Sequence, residues 1–104
     1  MNTTKISKLQ PKTKEELVNI IREAIDRDGN ECNLNFIDTS LITDMSQLFI
    51  ESPFNGDISE WNVSNVINMH SIFLYSKFNG NISEWDVSNV ECMEYMFAYS
   101  QFNR

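Results

Sequence analysis

FNGDISEWNVSNVINMHSIFLYSK, residues 54–77, runs directly into FNGNISEWDVSNVECMEYMFAYSQ, residues 78–101, and fifteen of the 24 aligned positions are identical. Stepping back another 24 residues exposes a third copy over 30–53. There Leu34, Ile37, Ile42, Met45, Leu48 and Phe49 fall under Ile58, Trp61, Val66, Met69, Ile72 and Phe73. Phe102 and Asn103 begin a fourth. A fixed period in the twenties signals structural units that stack on one another, because one unit cannot bury its apolar face alone.

Each copy parses into pieces. Asn55-Gly56-Asp57 and Asn79-Gly80-Asn81 read as turns wanting a left-handed residue. Residues 58–63 read as a short strand, with Trp61 and Val63 inward and Glu60 and Asn62 outward. Ser40, Ser64 and Ser88 stand where short helices should start, and Ser88-Asn89-Val90-Glu91 has the form of a capping box. Behind Ser64, the positions Val66, Met69 and Phe73 keep helical spacing. The expected fold is therefore α/β: a short leucine-rich-repeat-like solenoid with a turn, a short strand and a short helix per coil.

Upstream, residues 1–10 are polar and read as a flexible lead. Thr13-Lys14-Glu15-Glu16 is a capping box, and Leu17, Ile20, Ile21, Ala24 and Ile25 then mark one helical face. Asp28-Gly29 ends that run. So 11–29 is read as a helix capping the first coil, and 30–101 as three repeats. No matching cap follows the last coil.

The run F-N-G-[DN]-I-S-x-W-[DN]-V-S-N-V-x-x-M-x-x-[IM]-F resembles the BspA-like leucine-rich-repeat proteins, including lipoprotein repeats of mycoplasmas. The opening PKTKEEL is similar to the lead-in that often precedes such repeats. The resemblance covers about residues 11–103 and implies a solenoid fold and a binding role on bacterial surfaces.

The 104 residues carry a net charge of −7, with 41% hydrophobic and 12% aromatic content. That balance suits one folded domain and speaks against direct binding to nucleic acid or anionic membrane, both of which need positive charge. It favours a protein partner with a basic surface. Lys5 and Lys8 lie in an N-terminus with no apolar run, and no stretch reaches the length of a membrane span. A cytoplasmic location is the expectation, or a surface one if the parent is exported. Cys32 and Cys92 are read as free thiols.

Neither catalysis nor cofactor or metal binding is expected. His70 is the lone histidine, the three glycines are spaced as turns, and no loop has the carboxylate pattern of a cation site. Trp61 and Trp85 are read as a buried ladder, and Met45, Met69 and Met93 as a core column. The outward columns Phe36, Glu60, Glu84 and Asp38, Asn62, Asp86 form a candidate acidic binding face. Strands about 4.8 Å apart would set Glu60 against Glu84, a like-charge pairing that folding does not require. The uncapped end, with Trp85, Val87, Met96, Phe97 and Phe102, is a second candidate face, for a partner or for a symmetric homodimer. The function expected is a non-catalytic protein-interaction module of a bacterial or mobile-element protein. The competing expectation is a small acidic intracellular inhibitor that fills the basic groove of a nucleic-acid-handling enzyme.

Overall fold

The structure is a computed structural model and describes residues 9–103. It contains one α-helix, α1 (Lys14–Asp28). Thr13 caps it, its hydroxyl accepting from the Glu16 amide at 3.1 Å. Glu16 reaches back one residue further than a standard capping box, accepting from the Lys12 amide at 2.8 Å. Gly29 ends the helix at φ 91°, and its amide donates to the Ile25 carbonyl. Leu17, Ile21 and Ala24 are buried against the repeats, as their spacing predicts.

The α/β solenoid expectation is corrected at this point. Among the described residues there is no β-strand and no helix beyond α1. The pairing that exists consists of isolated parallel bridges: Leu9↔Ile37, Asn33↔Asp57, Asp44↔Asn68 and Asn68↔Cys92. The radius of gyration, 13.4 Å, is near the roughly 13 Å of a compact 100-residue domain. Of the expected flexible lead, residues 1–8 lie outside the described residues. Leu9 is held: its amide donates to the Phe36 carbonyl, and it accepts from the Asp38 amide.

Where short helices were expected, the chain makes overlapping turns. In the second copy the amides of Ile72, Leu74 and Ser76 donate to the carbonyls of Met69, Ser71 and Phe73, each three residues back. Left-handed residues punctuate the run at the same two positions of every copy: Gln47 and Glu51, Ser71 and Tyr75, Tyr95 and Tyr99, at φ 53–61°. An L-residue there costs about 1–2 kcal/mol and cannot continue a right-handed helix. What it permits is a second set of bonds. The amides of Met45, Gln47, Phe49 and Glu51 donate to the carbonyls of Asn68, His70, Ile72 and Leu74 at 2.8–2.9 Å. One copy on, Met69, Ser71, Phe73 and Tyr75 donate to Cys92, Glu94, Met96 and Ala98 at 2.8–3.0 Å. The repeat thus satisfies alternate amides across copies, where a helix would satisfy them within itself.

The serines read as helix starts serve a different turn. In Asn62-Val63-Ser64 the Asn62 Oδ1 accepts from the Ser64 amide at 3.0 Å, an Asx turn. The same bond forms at Asn33, Asp38, Asp44, Asp57, Asn68, Asn81 and Asp86 toward the residue two positions on. Residues 58–61 likewise close a turn, the Trp61 amide on the Ile58 carbonyl, and so are not a strand. Gly56 has no left-handed φ; a Cβ there would collide with the Cys32 carbonyl oxygen, so close backbone approach explains the glycine.

Between copies the apolar side chains stack on themselves. Trp61 and Trp85 are buried with ring centroids 6.5 Å apart, and each indole donates to the preceding copy, at Leu34 O and Ile58 O. Phe49, Phe73 and Phe97 form one row, at 5.8 and 5.6 Å, and Phe54, Phe78 and Phe102 another, at 6.1 Å each. The methionine column is buried at Met45 and Met69, but Met93 is 42% exposed.

Candidate binding surfaces

The acidic face separates into two groups. Asp38, Asn62 and Asp86 are turn-makers: their Oδ1 atoms accept from the amides of Ser40, Ser64 and Ser88. The Ser88 hydroxyl and amide hold the Asp86 carboxyl below the usual carboxylate range. Asp57 is lowered in the same way by the Ser59 amide and hydroxyl, with a contribution from the Asn35 side chain. Asp44 is pushed up by burial, yet the Ser46 amide and hydroxyl, aided by the Lys14 charge, leave it lowered. Phe36 is half-buried and packs against the core. That leaves Glu60 and Glu84 as exposed carboxylates in one column, and no ion pair reaches either among the described residues.

The uncapped end also differs from its sequence reading. Trp85 and Met96 are buried. Phe97 is 36% exposed, and Val87 and Phe102 are partly buried. The bare surface belongs instead to Met93, Tyr95, Phe97 and Tyr99, four alternate residues of one run. Their counterparts one copy earlier, Met69, Ser71 and Phe73, are buried, and Tyr75 stacks on Tyr99 at 4.9 Å. Beside this run a cleft of about 270 Å³ opens between Ile82, Phe97 and Phe102.

Elsewhere, a shallow groove of about 400 Å³ follows the register along Leu41, Thr43, Asn65, Ile67, Asn89 and Glu91. His70 Nδ1 lies 2.9 Å from Ser71 Oγ, but Ser71 is buried, which denies that hydroxyl a substrate. No three His, Cys, Asp or Glu side chains converge as a metal site among the described residues. Cys32 and Cys92 are free, and burial, then the Asp28 charge, raises the Cys32 thiol. No helix among the described residues is long and apolar enough to cross a membrane.

The repeat and its lead-in helix match one family along most of their length. Residues 16–104 match the family described as Mycoplasma protein of unknown function, DUF285. The chain belongs to this family. That membership fits a bacterial protein. Searches of curated proteins and of solved structures each returned no match.

Proposed function

We propose that this DUF285 chain is a non-catalytic protein-interaction module that binds through the exposed aromatic run of its third copy. One observation carries the reading: Met93, Tyr95, Phe97 and Tyr99 together bare an aromatic surface on one run. Rigid aromatic anchors supply most of the energy of protein interfaces. Kinship of the family with BspA-like surface repeat proteins supports a binding role. Glu60 and Glu84 add a second, electrostatic contact suited to a partner with a basic surface.

The test compares immobilised chain with a Tyr95→Asp/Tyr99→Asp variant in extract from a mycoplasma. These side chains are 66% and 78% exposed, so the variant keeps its circular dichroism. The expected result is a partner retained by the wild type and lost from the variant. Retention by both sinks the reading. A second reading, inhibition of a basic nucleic-acid-handling enzyme, draws on the −7 net charge and the unpaired Glu60 and Glu84. Under it the captured partner binds nucleic acid, and Glu60→Lys/Glu84→Lys abolishes capture while the tyrosine variant does not.

A further inference from the structure

A second surface forms where α1 meets the first copy, inside the chain. The phenylalanines make two rows, Phe49, Phe73, Phe97 and Phe54, Phe78, Phe102, each ring stacked on its counterpart in the next copy. One period before Phe49 stands Ile25, and one period before Phe54 stands Asn30. The helix carries no aromatic residue at all. Both rows therefore stop at α1, and the space beyond Phe49 is left partly open. A cleft of about 270 Å³ lies there, walled by Ile21 and Ile25 from α1 and by Leu48, Phe49 and Pro53 from the first copy. Arg22 and Asp26, about one helical turn apart and both exposed, also line it. The Arg22 Nη1 donates to Asn19 Oδ1 at 3.0 Å. Among the described residues no hydrogen bond or ion pair engages the Asp26 carboxylate.

Shape, polarity and charge decide what fits. An apolar cavity of about 150 Å³ admits a benzene-sized ring and stays dry, so this larger cleft has room for a two-ring group. A helix or strand is too bulky to enter. An aliphatic side chain fits the volume but forgoes the ring stacking that the phenylalanine rows already use. A free anion meets Asp26 beside Arg22, and the two charges offset each other. An indole uses every group present: its face continues the Phe49 row, its N–H donates to the Asp26 carboxylate, and the Arg22 guanidinium lies over the ring. Room for one side chain suits an anchor whose parent makes its other contacts elsewhere, and tryptophan is among the residues enriched in such anchors.

We propose that the cleft between α1 and the first copy receives a single tryptophan side chain of a partner protein, which extends the Phe49 row toward the helix. This contact goes beyond the third-copy surface and is separate from it.

The probe is N-acetyl-tryptophanamide, titrated into the full chain and followed by NMR at the methyl groups of Ile21, Ile25 and Leu48. Saturable shifts at these methyls are expected, with nuclear Overhauser contacts to the indole ring. N-acetyl-leucinamide should bind about three- to tenfold more weakly. Ile25→Phe puts a ring of the chain's own into the row and should abolish the contacts. No saturation, equal binding of the leucine amide, contacts confined to Phe97 and Phe102, or contacts that persist in folded Ile25→Phe each overturn the proposal. So does free indole binding more tightly than the blocked amino acid, since the cleft then has no place for a backbone at its mouth. A variant that does not fold leaves the wild-type contacts to decide. The titration needs no natural partner, so failure here is distinct from failure of the capture experiment.

Discussion

Gln47 and Glu51 let the sign of a stability change decide between two backbone conformations. Both sit in the left-handed region, at φ 61° and 55°, and both side chains are exposed. Comparing Ala with Gly at each site isolates the Cβ. With Ala in place, the left-handed conformation costs about 1–2 kcal/mol. Gly removes that cost but gives back roughly 0.5–1 kcal/mol through the larger entropy of its unfolded chain. The net expectation is that Gln47→Gly is more stable than Gln47→Ala by about 0.5–1 kcal/mol, and the same at Glu51. Were residues 46–51 a helix, as the apolar spacing suggests, the order would invert, with Gly about 1 kcal/mol worse than Ala. The two conformations are thus separated by roughly 1.5–2 kcal/mol, well above the error of comparing variants at their denaturation midpoints. Urea unfolding followed by the fluorescence of the buried Trp61 and Trp85 is the assay. Thermal unfolding should agree, since about 1 kcal/mol moves the midpoint of a domain this size by roughly 4–8 °C. Ala equal to or better than Gly at both sites would refute the turn geometry.

Phe73 and Phe97 hold the same repeat position, yet Phe73 is fully covered while Phe97 is 36% exposed. Phe73→Ala is expected to cost about 3–5 kcal/mol in urea unfolding and Phe97→Ala less than half as much; equal costs would mean that the third copy is covered as fully as the second. The Ser59 bonds lower the pKa of Asp57, so its contribution to stability is present above the unfolded value of about 4 and is lost as pH falls through the lower folded value. Asp57→Asn keeps the acceptor, as Asn81 does toward Ser83, and removes the titration, so stability measured from pH 5 to pH 2 should fall less steeply than in wild type.

Much of the architecture was legible along the chain, because it rests on composition at fixed spacing. The 24-residue period, helix α1 with its Thr13 cap and Gly29 stop, and the burial of Trp61, Met69 and Phe73 all follow from which side chains must leave water together. The conformation inside each copy was misread. Val66, Met69 and Phe73 satisfy helical spacing, but the same spacing serves a chain of tight turns that returns an apolar residue to the core every three or four positions. The distinguishing signal was polar: Asp or Asn followed two residues later by Ser, as at Asp57, Asn62, Asn81 and Asp86, is an Asx-turn pattern. Reading Ser40, Ser64 and Ser88 as caps made each hydroxyl an acceptor, whereas each serine amide donates to the Asp or Asn two residues before it.

The binding surfaces divide the same way. The sequence by itself determined that Glu60 and Glu84 hold the same repeat position, since that follows from the repeat's phase. Only the tertiary structure decided that Asp38, Asn62 and Asp86 are occupied as turn acceptors, and that Trp85 and Met96 are buried while Met93, Tyr95, Phe97 and Tyr99 are bare. The physical reason is that exposure at an end depends on what stacks next, and amide direction depends on left-handed residues that no local propensity demands. At Gln47, Glu51, Ser71 and Tyr75 the amide of the left-handed residue donates to the next copy, and those bonds exist only once the copies are packed.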